Sequence, residues 1–369
     1  MEYGSTVLKN DEKAILELRE LYQKYGYMQY KMSKFEEYDL YVRNKDFLVS
    51  DHVITFTDTS GKLMALKPDV TLSIIKNGQD KKNAVEKVYY NENVYRVTSA
   101  SDSFQEIMQV GLECIGDIDD YCIYEVMELG ARSLKNISPD YVLDISHLDI
   151  VSAVMASLAL PPHLESSFLK CLGEKNAHGI AALCRQAGAD PENAVLLVST
   201  YGSPQQVLPV LKAMELSSAA EPIAQLEQIT SQLEENGYRI NIDFSVINDM
   251  NYYNGFVFKG FIKGISQGVL SGGQYNKLMQ KMGRTSGAVG FAVYLNLLER
   301  LSQPERDCDV DTVILYDDSC DIGSIRAAIK LFSSDGKRVT ALRSVPDKLT
   351  YKQLLKMQQR GVEILENDA

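Results

Sequence analysis

Within Ile107–Gly116, Gln109, Gly111 and Glu113 alternate with Met108, Val110, Leu112 and Cys114. In a strand, period-two spacing sends the apolar four to one face and lines up an amide, a bare backbone and a carboxylate on the other. That second face has the composition of a pocket floor, because a glycine at a strand centre is expected where a bulge forms or a ligand comes close. The solvated outer face of an antiparallel sheet would alternate in the same way.

Four further segments carry polar groups at suggestive spacing. Leu66-Lys67-Pro68-Asp69-Val70-Thr71, if extended, points Asp69 and Thr71 the same way, a carboxylate beside a hydroxyl suited to an ammonium group. The same two residues would also cap a helix starting at Leu72-Ser73-Ile74-Ile75. Tyr89 to Arg96 ends a β-rich run on an arginine, by default a surface charge. Asn251 to Phe258 is an aromatic run, by default packing, in which Tyr253 shares a face with Gly255. Gly268-Val269-Leu270-Ser271-Gly272-Gly273-Gln274-Tyr275 is a glycine-rich strand end entering a helix, without the GxxxxGK[ST] spacing of a phosphate loop.

The elements that must position these groups predict an α+β fold. An amphipathic helix is expected over 11–25, with Asn10 or Asp11 as cap and Gly26 as stop, then a hairpin around Asp58-Thr59-Ser60-Gly61. Strands follow at Val88 to Arg96, Ile107 to Ile115, Tyr141 to Ser146, Ile240 to Ile247 and Tyr252 to Phe261, an antiparallel pattern. Between 161 and 239 only helices are expected, as an insertion into a core of 1–160 and 240–303. From Asp309 the pattern is strand, helix, strand, helix (Thr350 to Arg360), strand: a small α/β unit over 309–369.

The 369 residues carry a formal charge of −12, which argues against a large nucleic-acid footprint. In 309–369 Lys and Arg only balance Asp and Glu, so no tRNA binding is expected there. The six cysteines are scattered without a CxxC pair, and the four histidines form neither HxxxH nor HExxH. No metal or cofactor is expected, and His147 and His52 are taken as structural. With no signal peptide and no spanning stretch, the expectation is a cytoplasmic protein that touches no membrane.

In order and spacing, these segments resemble the catalytic core of class II aminoacyl-tRNA synthetases, most closely the histidyl-tRNA synthetase branch, over residues 5 to 301. Leu66 to Thr71 is similar to the family's Leu-Arg-Pro-Glu-x-Thr signature. Asn93-Val94-Tyr95-Arg96 with Gln105 to Glu113 looks like motif 2. Asp249 to Asn254 resembles the histidine-specific Arg-Gly-Leu-Asp-Tyr-Tyr segment, and Gly272 to Leu278 with Gly287 to Ala292 the approach to motif 3. The resemblance implies an amino-acid pocket in which Asp69 and Thr71 meet the α-amino group and Gln109 and Glu113 form the floor. Tyr253 would meet an imidazole, with Tyr252 in the same set and Tyr275 at the wall.

Departures from the family change the implied function. Leu295-Asn296-Leu297 replaces the motif 3 Leu-Glu-Arg, Asn248 replaces the arginine of the histidine-specific segment, Thr98 replaces a motif 2 glutamate and Gln105 its second arginine. Motif 1's proline is absent, with Met32-Ser33 in its place. Losing one donor to a developing phosphoryl charge typically costs ~3 kcal/mol or more, so adenylate synthesis is not expected and Arg96 is the residue of a former phosphate site. A Pro-Asp pair, lost arginines and a shortened C-terminal unit look like the regulatory subunits of ATP phosphoribosyltransferase, a synthetase-like group without catalysis of its own. That resemblance implies a short-form catalytic transferase subunit as partner, a homodimer within a hetero-oligomer, and histidine as effector. A divergent histidyl-tRNA synthetase and an amino-acid-binding paralogue with another partner are the alternatives.

Overall fold

The two longest alternating runs form one antiparallel pair, Val85–Val97 against Phe104–Gly116, with Tyr90 opposite Gly111 and Val88 opposite Glu113. They belong to a computed structural model that describes residues 8–45, 48, 53–78, 80, 84–97, 103–247, 252–301, 308–334, 336–358 and 361–367. The chain divides into two compact units, Met1–Leu301 and Ser302–Ala369.

In chain order the strands of the first unit are β1 (Met28–Gln29), β2 (Phe35–Glu37), β3 (Thr55–Thr57), β4 (Leu63–Leu66), β5 (Val85–Val97) and β6 (Phe104–Gly116). There follow β7 (Tyr141–His147), β8 (Tyr201–Gly202), β9 (Ile240–Asp243), β10 (Asn254–Ile262), β11 (Leu270–Gln274) and β12 (Gly287–Tyr294). Nine of them make one sheet in the order β1-β5-β6-β12-β11-β10-β7-β9-β8, antiparallel from β5 to β7. β2, β4 and β3 form a separate small sheet.

The alternation fixes which sheet face is dry. Val110, Leu112 and Cys114 of β6 join Phe258 of β10 and Phe291 of β12 in the main core, under the helices Asn10–Lys24 and Asp120–Ile137. Each fully buried Leu or Phe there contributes roughly 1.5–3 kcal/mol. The first helix begins at Asn10 itself, so neither Asn10 nor Asp11 caps it; Lys9 is the cap, its N–H donating to the Glu12 carboxylate at 2.9 Å. His147 caps the helix Leu148–Leu158, its Nδ1 accepting from the Asp149 N–H at 3.3 Å, and its ring lies edge-on to Phe256. His52 lies outside the described residues.

Between Pro162 and Glu235 the chain runs through helices, as the spacing of the apolar residues predicts, but also forms β8, which pairs with β9 and extends the sheet. Phe168, Leu172, Leu197 and Leu226 of this stretch share the main core, so the helices are built onto the sheet. The strand expected over Ile240 to Ile247 ends at Asp243, whose carboxylate accepts from the backbone N–H and hydroxyl of Ser245 and turns the chain.

In the second unit, β13 (Val310–Leu315), β14 (Val339–Leu342), β15 (Tyr351–Gln358) and β16 (Gly361–Asn367) stand in the order β14-β13-β15-β16. The helix Ile322–Ser333 packs on one face through Ala328, against Ile314, Leu355 and Met357. The helix expected over Thr350 to Arg360 is instead β15. Pairing on both sides, parallel to β13 and antiparallel to β16, outweighs the helical propensity of its Lys, Gln and Leu residues. No helix among the described residues is long and apolar enough to cross a membrane.

Candidate functional site

On the face opposite the main core, the sheet floors a cavity of about 410 Å³, within the range of small-molecule sites. Its lining gathers Asp69, Thr71, Arg96, Gln109, Glu113, Tyr252, Tyr253 and Tyr275 from five separated stretches of chain. Tyr90, Ser271 and Tyr294 also line it, and nothing in the sequence reading singled them out. For Tyr90 a signal existed: it occupies the pocket-facing parity of β5, directly across from Gly111.

Glu113 is the buried centre. Its Oε1 accepts from the Thr71 hydroxyl at 2.8 Å and its Oε2 from the Tyr275 phenol at 2.6 Å. Burial pushes its carboxyl up to about 8, with the Asp69 charge adding to the rise and the two hydroxyls opposing it. Two glycines make the room. A Cβ at position 290 would overlap the Glu113 carboxylate, and one at position 111 would overlap the Tyr90 phenol. The floor read from β6 is therefore completed by its neighbours β5 and β12.

Asp69 and Thr71 both line the cavity and are engaged with different partners. The Thr71 hydroxyl donates to Glu113, while the Asp69 Oδ1 accepts from the Leu72 N–H at 2.9 Å and so satisfies a first-turn donor of the helix Thr71–Asn77, whose N-cap is Val70. The Asp69 Oδ2 lies 3.5 Å from an Arg96 guanidinium nitrogen, and the Arg96 Nε–H donates to the Pro68 carbonyl at 2.5 Å. Burial raises the Asp69 carboxyl; the Arg96 charge and the backbone N–H groups of Leu72 and Thr71 hold the rise back. Arg96 is itself buried, the only cation among the described lining residues.

The aromatic wall comes from a break in a strand. β10 begins at Asn254, and its register against β11 shifts between Asn254 and Val257, around Gly255 at φ +57°. That left-handed conformation suits glycine and leaves Tyr252 and Tyr253 ahead of the strand, inside the cavity. The Tyr252 ring lies 4.5 Å from Tyr253 and 5.9 Å from Tyr275, centroid to centroid. Burial raises the Tyr90, Tyr252, Tyr253 and Tyr275 phenols well above their ordinary value, so all four stay protonated donors.

Of the lost cationic positions, Leu297 is buried in the main core with Leu295 and Leu298 and does not line the cavity. Asn248 and Thr98 lie outside the described residues. Lys67, in the signature segment, is fully buried and ion-paired to Glu92 at 2.5 Å, apart from the lining. No group of three or more His, Cys, Asp or Glu among the described residues is placed to hold a metal ion.

Comparison with known proteins follows the same lines. The chain is 28% identical over 285 residues to the ATP phosphoribosyltransferase regulatory subunit of Caldanaerobacter subterraneus subsp. tengcongensis, covering 74% of each. It is 23% identical over 366 residues to that of Oceanobacillus iheyensis, 96% of this chain and 90% of that one. In fold it is similar to an ATP phosphoribosyltransferase regulatory subunit/histidyl-tRNA synthetase from Bacillus halodurans, with a TM-score of 0.75 at 22% identity over 95% of this chain and 96% of that one. It is also similar to a chain of the ATP phosphoribosyl transferase (HisG:HisZ) complex from Thermotoga maritima, with a TM-score of 0.62 at 18% identity over 80% and 98%. The sequence profile of the histidyl-tRNA synthetase family matches residues 5–298, and the chain belongs to that family.

Proposed function

We propose that this chain is a regulatory subunit of ATP phosphoribosyltransferase, acting in the first step of histidine biosynthesis without catalysis of its own. One observation carries the reading: the cavity holds a carboxyl, hydroxyls and phenols fit for an amino acid, while the one cation among its described lining residues, Arg96, is already engaged by Asp69. A triphosphate would enter with its charge unanswered. Relatives matched over most of the chain bear this subunit's name.

On this reading free histidine fills the cavity, its imidazole at Glu113 and Tyr253 and its α-ammonium at Asp69. With Asn248 where the family carries an arginine, the α-carboxylate lacks that guanidinium and binding stays modest. The chain dimerises through its first helix and β1, assembles with the short catalytic subunit in the cytoplasm, and couples that subunit's activity to histidine. Such coupling is reciprocal: transferase ligands must alter histidine affinity by the same factor. The test is co-purification with the short transferase, then its activity with and without this chain and histidine. A transferase indifferent to the chain overturns the proposal.

A further inference from the structure

We propose that a bound imidazole and Glu113 hold one proton between them, so that histidine binding takes up or releases protons according to pH. The proposal rests on the reading of the cavity as a histidine site and deepens it.

The geometry around the carboxyl leads to it. Glu113 is 2% exposed, and each of its oxygens is met by a hydroxyl, from Thr71 and from Tyr275. The facing groups are Tyr90 from β5, Gln109 from β6, Asp69 and Thr71 from the signature segment, and Tyr252, Tyr253 and Tyr275. The single cation among the described lining residues, Arg96, is held by Asp69 and the Pro68 carbonyl, so among those residues Glu113 has no counter-charge of its own. A buried carboxyl without a counter-charge keeps its proton, and its shift to about 8 agrees.

An entering imidazole supplies what is missing. The carboxyl O–H bond breaks, an N–H bond forms on the ring, and an imidazolium faces a carboxylate already braced by two hydroxyls. Net charge in the cavity is unchanged by this transfer. The pair therefore carries one proton across the range in which its separate members would carry two, one or none. Free imidazole titrates near pH 6.5 and empty Glu113 near 8. Binding should release about one proton well below pH 6.5, exchange almost none near pH 7.2, and take one up above about pH 8.

The experiment is titration calorimetry of the full chain with L-histidine at about pH 8.5, in two buffers of different ionisation enthalpy, on the wild type and Glu113→Gln. The α-ammonium of histidine contributes equally to both, so the difference isolates Glu113. More than half a proton of extra uptake by the wild type is expected; equal uptake overturns the proposal. Difference infrared spectra of the wild type at neutral pH need no variant: a carboxylic C=O band should vanish on adding histidine, and its persistence overturns the shared proton while leaving the histidine site standing. Absence of any histidine binding by the wild type overturns both.

Discussion

Thr71 and Glu113, 42 residues apart in the chain, meet at 2.8 Å, where the first turn of the helix Thr71–Asn77 touches the sheet floor. The Thr71 hydroxyl thus donates to the carboxyl at the centre of the cavity and positions it. Thr71→Val keeps the shape and deletes the donor. We expect a loss of about 1–3 kcal/mol in urea unfolding, the cost of a buried acceptor left short of a partner, together with weaker histidine binding. Unchanged unfolding would show that the contact is incidental.

Arg96 and Asp69 make the second test. Arg96→Met retains most of the packing but leaves Asp69 buried with no counter-charge, which typically costs ~3–5 kcal/mol. Adding Asp69→Asn should recover part of that loss, because the uncompensated charge goes with it while the acceptor for the Leu72 N–H stays. A double-mutant cycle with no coupling between the two positions would refute the pairing.

The raised carboxyl of Glu113 also predicts how stability varies with pH. Its folded value of about 8 lies above the ordinary 4.5, so between those values the native state binds more protons than the unfolded one. The contribution is complete below about pH 4.5, declines as pH rises, and is gone above about pH 8, at up to roughly 1.4 kcal/mol per unit. Thermal unfolding of the wild type should lose more over pH 5 to 8 than that of Glu113→Gln. Parallel curves would place the titration elsewhere.

The floor of the site was legible because β-strand alternation has only two outcomes per residue: Gln109, Gly111 and Glu113 had to share a face. What alternation cannot show is what stands opposite. Tyr90 enters the cavity through the register of β5 against β6, and room for Glu113 comes from Gly290 on β12, both set by long-range pairing. Thr71 was singled out for the pocket, but its contact with Glu113 was not legible for the same reason, since that partner lies in another element. At the other end of the chain, the helix expected over Thr350 to Arg360 was outvoted by the two strands that flank β15. Local pattern identified the pieces, and tertiary pairing decided their roles.

Leu297 gives the last prediction. It stands where the family carries a phosphate-binding arginine, and the simplest expectation from sequence is that restoring the cation restores ATP binding. The structure argues otherwise, because Leu297 is packed into the main core with Leu295 and Leu298, away from the cavity. Leu297→Arg would bury an unpaired guanidinium among aliphatic side chains, and burying a charge without a partner costs several kcal/mol. We expect a marked fall in the urea midpoint, poor soluble yield, and no histidine-dependent pyrophosphate exchange from variant or wild type. A stable Leu297→Arg protein that binds ATP would mean that this turn can rotate its side chain into the cavity, and would return the chain to the catalytic branch of its family.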